Sequence, residues 1–304
     1  MFLGTGAAIP SRTKGTSAIA IRSGREIVLM DCGEGTQRQL MISPFSFMKI
    51  KTILITHLHG DHVFGLVGLI QTMDMSGRTE PLNVYGPPGL AKLVGSVRDS
   101  TENDGINYDL NIIEVVGGES FTEGRFKIDV YRTVHTVPSV GYVVTEPDIP
   151  GALNVSKARS LGINGRGLGM LKNGQAVGNV KPSDVIGPAI CGMKVSYTGD
   201  TAPSDAVCES SKGVDVLIHE STYMDSEAEL SAKHLHSTAK QAAETALKSD
   251  ARYLILTHLS NRYDNPDAVR SEACDVFPDT YVANDFDLYR VNHKGIFLEN
   301  RDVI

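Results

Sequence analysis

The chain has 304 residues, of which 41% are hydrophobic, and a formal net charge of -7 at pH 7. This length and hydrophobic content are sufficient to bury a sizeable core, and α/β sandwiches of this size often form one domain. The net negative charge excludes nucleic-acid binding over the whole surface, so any contact with a polyanion must use a local basic element.

The cysteines and the start of the chain predict a cytoplasmic protein. The four cysteines are far apart, form no Cys-x-x-Cys pair and are interpreted as buried thiols in a reducing compartment; they are Cys32, Cys191, Cys208 and Cys274. The first residues lack the basic region of a signal peptide, and no run of 18 apolar residues predicts a membrane span.

The most informative segment is residues 56–62, with the sequence Thr-His-Leu-His-Gly-Asp-His. It places three imidazoles and a carboxylate in a span too short for a hydrophobic core, and zinc and other borderline divalent ions prefer these ligand types. The apolar run at residues 53–55 predicts a buried strand, and residues 63–70 predict the start of a helix. We therefore expect the ligands on a strand-to-helix turn.

Three further strand-like runs each lead directly to a residue that can bind metal, namely residues 128–134 to His135, residues 194–199 to Asp200, and residues 253–257 to His258. Gly199 is expected to give the backbone room for a sharp turn before the Asp200 carboxylate. Asp200 alone also fits an ordinary turn residue. The repetition at four strand ends favours a metal site, because a rigid scaffold can hold polar side chains at the rim of a sheet.

Seven candidate ligands result, and they divide into two groups. One ion would be bound by His57, His59, His135 and Asp200, and a second ion by Asp61, His62, Asp200 and His258. A carboxylate shared by two cations roughly 3.5 to 4 Å apart, the position predicted for Asp200, is typical of metal-dependent hydrolases of phosphate esters. Two Zn²⁺ per subunit are predicted, although mixed His and carboxylate ligands also accept Mn²⁺ or Fe²⁺.

Eight sequence blocks, which run through nearly the whole length, carry a family resemblance: residues 2–11, 31–39, 56–62, 135–142, 197–201, 219–222, 236–238 and 257–263. They include Gly-Glu-Gly-Thr-Gln-Arg-Gln at residues 33–39 and Ser-Asn-Arg-Tyr at residues 260–263. With these blocks the chain resembles the RNase Z family, the tRNA 3′-processing endonucleases of the metallo-β-lactamase superfamily. The histidine cluster is shared by the whole superfamily, and the two blocks quoted in letters narrow the match to this family.

The resemblance implies a fold, an activity and an assembly. The fold is a single metallo-β-lactamase-like αββα sandwich over residues 1–304, an α/β architecture with two mixed sheets between outer helices and metals at one edge. The activity is zinc-dependent hydrolysis of the phosphodiester next to the discriminator nucleotide of a tRNA precursor, which removes the 3′ trailer and leaves a 3′-hydroxyl. The assembly is a homodimer in which one subunit's arm serves the other's active site.

Three residues are predicted to act in catalysis. In the family the counterpart of Asp61 is the general base, and a Glu and a His matching Glu220 and His236 act together. A ribose 3′-oxygen leaves poorly unless it is protonated, so His236 is the candidate general acid. It lies just before Thr238-x-x-Gln241, a spacing that fits a capping box at a helix start.

We expect His236 to titrate near its ordinary pKa of about 6.5. A helix N-terminus disfavours the imidazolium, whereas the Glu220 carboxylate favours it, and the two influences oppose each other. A surface or capping role is the alternative for His236, and His234 is a rival general acid from the sequence alone.

Residues 151–183 are predicted to form a protruding, flexible arm that binds tRNA. The stretch is rich in glycine, has no Asp or Glu and contains the basic residues Lys157, Arg159, Arg166, Lys172 and Lys181. Such local charge attracts RNA phosphate even on an acidic protein. The family carries an insertion here that grips the tRNA elbow. Residues 161–174 resemble that arm but lack the prolines that commonly stiffen it. A solvated surface loop is the alternative.

Arg262 is predicted as a further tRNA contact, although it and Arg38 equally fit surface ion pairs. Two other functions remain open because this fold serves many chemistries. One is a dinuclear hydrolase of small esters or phosphodiesters, which would need no basic arm. The other is a catalytically weak RNA-binding module, against which the complete ligand set argues.

Overall fold

The computed structural model describes residues 1–100, 105–263 and 265–299, and these form two compact units. The larger unit comprises Met1–Thr145 and the chain from Lys194 onward, and the smaller unit, here called the insert, is Glu146–Met193. The insert begins five residues before the predicted arm at residues 151–183 and ends ten residues after it.

The first sheet of the larger unit has six strands that follow one another across the sheet in chain order: β1 (Phe2–Gly4), β2 (Ala18–Ser23), β3 (Glu26–Met30), β4 (Ile50–Leu54), β5 (Leu82–Gly86) and β6 (Leu110–Glu114). The strands β1 to β3 are antiparallel, and those from β3 to β6 are parallel. The sheet is therefore mixed.

The second sheet has seven strands: β7 (Ser120–Glu123), β8 (Phe126–Arg132), β9 (Val140–Thr145), β10 (Lys194–Tyr197), β11 (Val216–Glu220), β12 (Tyr253–Thr257) and β13 (Thr280–Val282). Strands β7 to β10 pair antiparallel and β10 to β13 pair parallel. The hairpin of β14 (Leu288–Asn292) and β15 (Gly295–Glu299) forms a separate two-stranded sheet.

The helices are α1 (Thr36–Ile42), α2 (Gly60–Val63), α3 (Leu66–Met75), α4 (Leu90–Ser100), α5 (Val155–Ser160), α6 (Arg166–Lys172), α7 (Pro182–Val185), α8 (Asp205–Ser210), α9 (Ala228–His234), α10 (Ala239–Lys248) and α11 (Pro266–Cys274). The predicted capping box is present, because Thr238 accepts the Gln241 N–H and the Gln241 side chain accepts the Thr238 N–H. No described helix is long and apolar enough to cross a membrane.

Alternating side chains along the strands build a four-layer sandwich. On β3, Ile27 and Leu29 pack in one core with α1, α3 and α4, whereas Val28 and Met30 point into the core shared by the two sheets. On β12, Leu254 and Leu256 pack against α10 and α11, while Ile255 faces the shared core. This period-two alternation buries both faces of each sheet. The predicted αββα architecture is confirmed.

The direction of the strands brings the functional loops to one edge. Strands β10, β11 and β12 are mutually parallel, and β8 runs in the same direction because it and β10 are both antiparallel to β9. Their carboxyl ends therefore lie at the same edge of the second sheet. The Tyr142 hydroxyl donates to Ile55 O at 2.7 Å, and Val140 N–H donates to Thr56 O at 2.9 Å. These bonds tie this edge to the loop after β4.

The insert has helices and a small core of its own. Ala158 in α5, Leu171 in α6 and Val185 in α7 are buried together, with half-buried apolar side chains around them. The glycine-rich composition concealed these helices, since Gly lowers helix propensity in a sequence-based analysis. The five basic residues of the predicted arm are all exposed.

The four cysteines are free thiols, but their burial differs from the prediction. Cys32 is buried, Cys208 and Cys274 are half-buried, and Cys191 is exposed. The prediction of a buried thiol was wrong for Cys191, because this residue follows the Ile149–Ile190 bridge in a segment without regular structure that exposes its side chains.

Candidate metal centre and active site

The strand-to-helix turn after β4 supplies four of the candidate ligands. His57 and His59 lie in the loop, while Asp61 and His62 lie in α2. The helix predicted at residues 63–70 is divided, because Gly65 N–H donates to Cys32 O at 2.9 Å between α2 and α3. The turn is therefore held against the segment that follows β3.

The first ligand group is His57, His59, His135 and Asp200, whose ligand atoms all lie within 4.8 Å of one another. His59 Nδ1 is 3.1 Å from His57 Nε2 and 3.2 Å from His135 Nε2. Asp200 Oδ2 lies 3.7 Å from His57 Nε2 and 3.8 Å from His135 Nε2. Three ring nitrogens and a carboxylate oxygen thus surround one point.

The second ligand group is Asp61, His62 and His258. His258 Nε2 is 3.3 Å from His62 Nε2 and 3.2 Å from Asp61 Oδ2. Asp200 Oδ1 lies 3.4 Å from His62 Nε2, so the two oxygens of this carboxylate face the two groups. The structure thus brings all seven predicted residues together, with Asp200 between the groups.

Asp31 orients the His62 and His57 rings from the side that faces away from the ligand atoms. Its buried carboxylate accepts a hydrogen bond from His62 Nδ1 at 2.7 Å and from the Thr56 hydroxyl at 2.9 Å. The Thr56 oxygen is in turn 3.1 Å from His57 Nδ1. This network assigns the Nδ1–H tautomer to both rings and leaves each Nε2 directed at the centre.

Glu220 plays the same role for His258. The Thr222 hydroxyl donates to Glu220 Oε2 at 2.6 Å and lies 2.9 Å from His258 Nδ1. His135 is fixed differently, since its Nδ1 is 3.0 Å from the Leu235 carbonyl oxygen. Four of the five ligand histidines therefore have the nitrogen that faces away from the centre hydrogen-bonded, as is usual for metal-binding imidazoles.

The backbone before Asp200 requires a glycine, as the sequence predicted. Gly199 has φ of +59°, and a Cβ there would lie 2.6 Å from the Thr56 Cβ. An L side chain rarely adopts this conformation and could not fit at that distance. The Asp200 turn can therefore approach the β4 loop only because residue 199 has no side chain.

The two ligand groups differ in protonation. Burial lowers the pKa of His57, His59 and His135, so these rings are neutral at pH 7. Burial also opposes the charged form of His62, but the Asp200 and Asp31 carboxylates outweigh it and raise the His62 pKa well above its ordinary value. Without a cation, His62 keeps a proton.

The carboxylates of the site are ionised. Burial alone would raise the pKa of Asp200 and Asp61, but the neighbouring His258 and His62 outweigh it and hold both values well below the ordinary range. Asp61 Oδ2 also accepts the Ala8 N–H at 2.9 Å.

The donor set fits divalent cations. Asp200 Oδ1 is fully buried and has no hydrogen-bond partner in the described part of the chain. Such an atom costs about 1–3 kcal/mol unless something satisfies it. A cation between inward-facing imidazole nitrogens and two ionised carboxylates would satisfy it, and this mixture of nitrogen and oxygen ligands is one that zinc accepts.

His236 and Glu220 form a pair beside the ligands. His236 Nδ1 lies 2.8 Å from Glu220 Oε1, and Asp200 Oδ2 is 3.9 Å away. Burial lowers the His236 pKa, but Glu220 and Asp200 outweigh it and raise the pKa to about 9. Our expectation of an ordinary pKa was wrong, because two carboxylates act on the ring and the sequence indicated only one.

A pocket of about 310 Å³ opens over this centre, and its wall includes His59, Asp61, Asp200, His234, His236 and Arg262. His234 is exposed, and no hydrogen bond to its side chain is present among the described residues. Arg262 forms an ion pair with Glu227 and stacks over the Tyr223 ring at 5.1 Å. Arg262 thus lies at the pocket, with its charge already partly compensated.

Comparisons with known proteins identify the family. A model described as a beta-lactamase superfamily domain matches residues 170–259, and one described as anti-Pycsar protein Apyc1 matches residues 1–149. Ribonuclease Z of Bacillus licheniformis is 39% identical over 297 residues, which cover 94% of this chain and 96% of that protein. This chain belongs to the ribonuclease Z family.

Two further comparisons extend over the same length. Ribonuclease Z of Methanothermobacter thermautotrophicus is 41% identical over 289 residues, which cover 93% of this chain and 94% of that protein. The crystal structure of human tRNase Z, short form, superposes with a TM-score of 0.69 at 28% identity and covers 94% of this chain and 96% of that one. The predicted family is confirmed.

In this ribonuclease Z family member, three residues that hydrogen-bond to the ligand rings were not predicted from the sequence. Asp31, Thr56 and Thr222 bind no candidate metal position themselves, and each acts through a histidine. All three lie in blocks that carry the family resemblance, at residues 31–39, 56–62 and 219–222, but no role was predicted for them. For Asp31, a positive φ of 56° and complete burial are the structural signals of a special position.

Proposed function

We propose that this chain is a metal-dependent endoribonuclease that removes the 3′ trailer from tRNA precursors. It hydrolyses the phosphodiester next to the discriminator nucleotide and leaves a 3′-hydroxyl on the tRNA. The observation that carries this proposal is the convergence of seven metal-binding side chains beside a His–Glu pair. The chain that holds them is similar to ribonuclease Z over 94% of its length.

Two Zn²⁺ per subunit are the proposed cofactors. The first ligand group would hold one ion, and the second group would hold the other, with Asp200 shared between them. Bound divalent cations lower the pKa of water toward neutrality and offset the charge that develops on a phosphoryl group. Mn²⁺ or Fe²⁺ would suit the same ligand types.

Asp61 is the proposed general base and orients the attacking water. Its carboxylate is ionised, so it can accept a hydrogen bond from the attacking water. Asp61 Oδ2 accepts the Ala8 N–H and lies 3.2 Å from His258 Nε2. Oδ1 is therefore the oxygen that can contact a water in the pocket. Asp61 lines the pocket in which a phosphodiester would lie.

His236 is the proposed general acid. Its Nδ1 is held by Glu220, and its Nε2 has no hydrogen-bond partner within the described part of the chain. The raised pKa keeps a proton on the ring at neutral pH. His236 would donate from Nε2 to the departing ribose 3′-oxygen, and Glu220 would stabilise and orient the imidazolium. His234 has no comparable carboxylate partner among the described residues.

The insert is the proposed tRNA-binding arm. Its exposed Lys157, Arg159, Arg166 and Lys172 would contact RNA phosphates, since their charges are not opposed by ion-pair partners among the described residues. Arg262 at the pocket is the proposed contact near the scissile bond. Flexibility of residues 151–183 is part of this proposal.

A cytoplasmic homodimer is the proposed assembly, with the insert of one subunit serving the active site of the other. The free thiols suit a reducing compartment. Three apolar side chains provide surface for a second copy: Met41 in α1 is 57% exposed, Phe64 between α2 and α3 is 67% exposed, and Met75 in α3 is 88% exposed. Light scattering at several concentrations would measure the mass.

A tRNA precursor with a 3′ trailer tests the activity. Incubation with purified protein should give a tRNA whose mapped 3′ end is the discriminator nucleotide with a hydroxyl, and a chelator should stop the reaction. Turnover of a small phosphodiester without precursor cleavage would instead support a small-substrate hydrolase. Tight RNA binding without any turnover would support a binding module.

A further inference from the structure

The outer face of the second sheet carries a groove outside the metal centre. Its volume is about 450 Å³, and its polar lining includes Lys127, Asp129, Thr145, Lys194, Ser210 and Lys212. Lys194 begins β10, whose other end leads to Asp200, so the groove lies at the end of the strands away from the metal ligands.

The strand register places two lysines on one row. Thr145 of β9 pairs with Lys127 of β8 on one side and with Lys194 of β10 on the other. Residues in register on neighbouring strands point to the same face, and two strand spacings separate the lysine Cα atoms by roughly 10 Å. Lys212, in the turn after α8, faces the same groove. Three flexible ammonium groups can therefore converge.

The charge of the groove is not balanced. Asp129 is the acidic residue in its lining, and it forms an ion pair with Lys127 at 2.9 Å. The ammonium groups of Lys194 and Lys212 form no ion pair in the described part of the chain. Asp215 accepts the Lys194 backbone N–H at 2.9 Å, but its carboxylate is paired with Arg252 at 3.9 Å. Both lysines are exposed. A local excess of positive charge on a protein with a net charge of -7 favours binding of an anion.

We propose that this lysine groove binds a backbone phosphate of the RNA substrate. The inference rests on the proposed function and adds a second RNA contact to it, away from the metal centre. Ammonium groups hold phosphate as point charges, and the Thr145 and Ser210 hydroxyls can donate hydrogen bonds to the same oxygens. The chain leaves for the basic insert after Thr145 and returns at Lys194, so the two basic elements are adjacent in the chain.

A triple variant, Lys127→Ala/Lys194→Ala/Lys212→Ala, tests the groove in the intact metal-bound enzyme. For a tRNA precursor, kcat/KM at low salt should fall about 10-fold, mainly through KM, and its logarithmic salt dependence should become shallower by about 1. Turnover of bis(p-nitrophenyl) phosphate should not change, because this substrate has no distant phosphate. The matched control, Lys49→Ala/Lys51→Ala/Lys92→Ala, removes three exposed lysines elsewhere and should leave KM unchanged.

Asp129→Asn provides a test with the opposite sign, which a folding defect could not imitate. Removing the acidic charge from the groove should lower KM for the precursor. If the parent cleaves the precursor but the triple variant behaves like its control, the groove inference is wrong and the proposed function stands. If the unmodified enzyme does not cleave the precursor, both the proposed function and the groove inference fail. If the groove binds a free anion and not the RNA, the two triple variants will cleave the precursor equally well, and the inference is wrong.

Discussion

At the scale of single residues, Asp31 and Glu220 organise the centre without occupying a candidate metal position. Asp31 fixes His62 directly and His57 through Thr56, while Glu220 reaches His258 through Thr222 and His236 directly. Each carboxylate is buried, so its hydrogen bonds act with little screening by solvent. Glu220 thereby couples a metal ligand to the proposed proton donor.

Glu220→Gln should move the alkaline limb of activity to lower pH. In the proposed mechanism the protonated form of His236 is the active one, so activity should fall as pH rises through its pKa of about 9. Without the Glu220 carboxylate this pKa falls, and the limb should appear lower by about 1 to 2 pH units. The measurement is kcat against pH on a tRNA precursor.

His236→Ala is the control for that profile. It should slow precursor cleavage about 10²–10⁴-fold while metal content stays intact. Turnover of a nitrophenyl phosphodiester should fall far less, because nitrophenolate leaves without a proton. A fully active His236→Ala enzyme would remove this residue from the mechanism.

Acidification should release one metal ion before the other. A cation in the second ligand group must displace a proton from His62, whose pKa is raised, so protons compete with it already near neutral pH. The rings of the first group have lowered pKa values, and protons compete there only at lower pH. Anomalous density after soaking crystals from pH 8 to pH 6 should weaken first at His62. Equal loss at both positions would contradict this assignment.

The ligands could be predicted from the sequence because each one is local to a strand end. His57, His59, Asp61 and His62 share one short segment, and the others end strand patterns. The network behind them could not be predicted, since Asp31 meets His62 across 31 residues and Thr222 meets His258 across 36. Nothing in a strand pattern specifies such pairings.

At the scale of secondary structure, the Gly199 turn connects β10 to the metal centre. Gly199→Ala should lower the free energy of unfolding by about 2–4 kcal/mol. The new Cβ would force an unfavourable positive φ on alanine and would clash with the Thr56 side chain. It should also reduce metal content, because Asp200 would shift. Urea unfolding and elemental analysis measure the two effects.

Gly213→Ala is the matched control for this turn. Gly213 has φ of +64°, and a Cβ added there would meet no other atom of the described chain within 4 Å, so only backbone strain applies. The cost should be about 1 kcal/mol, with full metal content. If both variants lose metal equally, the role of Gly199 in positioning Asp200 is contradicted.

Strands were predicted more reliably than helices, for a physical reason. β12 matches its predicted bounds of residues 253–257, since parallel strands buried on both faces are continuous apolar runs. The helices of the insert were missed, because α6 contains glycines and only tertiary contacts with α5 and α7 bury its apolar side.

At the scale of the whole molecule, charge is segregated on an acidic protein. The insert contributes exposed basic residues, and the lysine groove contributes three more. Electrostatic attraction to RNA acts over a distance of about 10 Å at moderate salt. Local basic elements can therefore bind a polyanion although the net charge is -7.

Deleting residues 151–183 should separate RNA binding from hydrolysis. KM for a tRNA precursor should rise at least about 10-fold, because several phosphate contacts are lost. Turnover of a small phosphodiester should stay the same. The charge-only variant Arg159→Ala/Arg166→Ala/Lys172→Ala, which keeps the buried Ala158, Leu171 and Val185, should show the same trend. Equal loss of both activities would refute the arm assignment.

The most direct test of the account is a metal titration of chelator-treated protein while precursor tRNA cleavage and bound metal are both measured. We predict that activity is absent without metal and returns fully only at two equivalents of Zn²⁺ per chain, with the product ending at the discriminator nucleotide. Full activity without metal, or at a single equivalent, would contradict a reaction centre built on two cations.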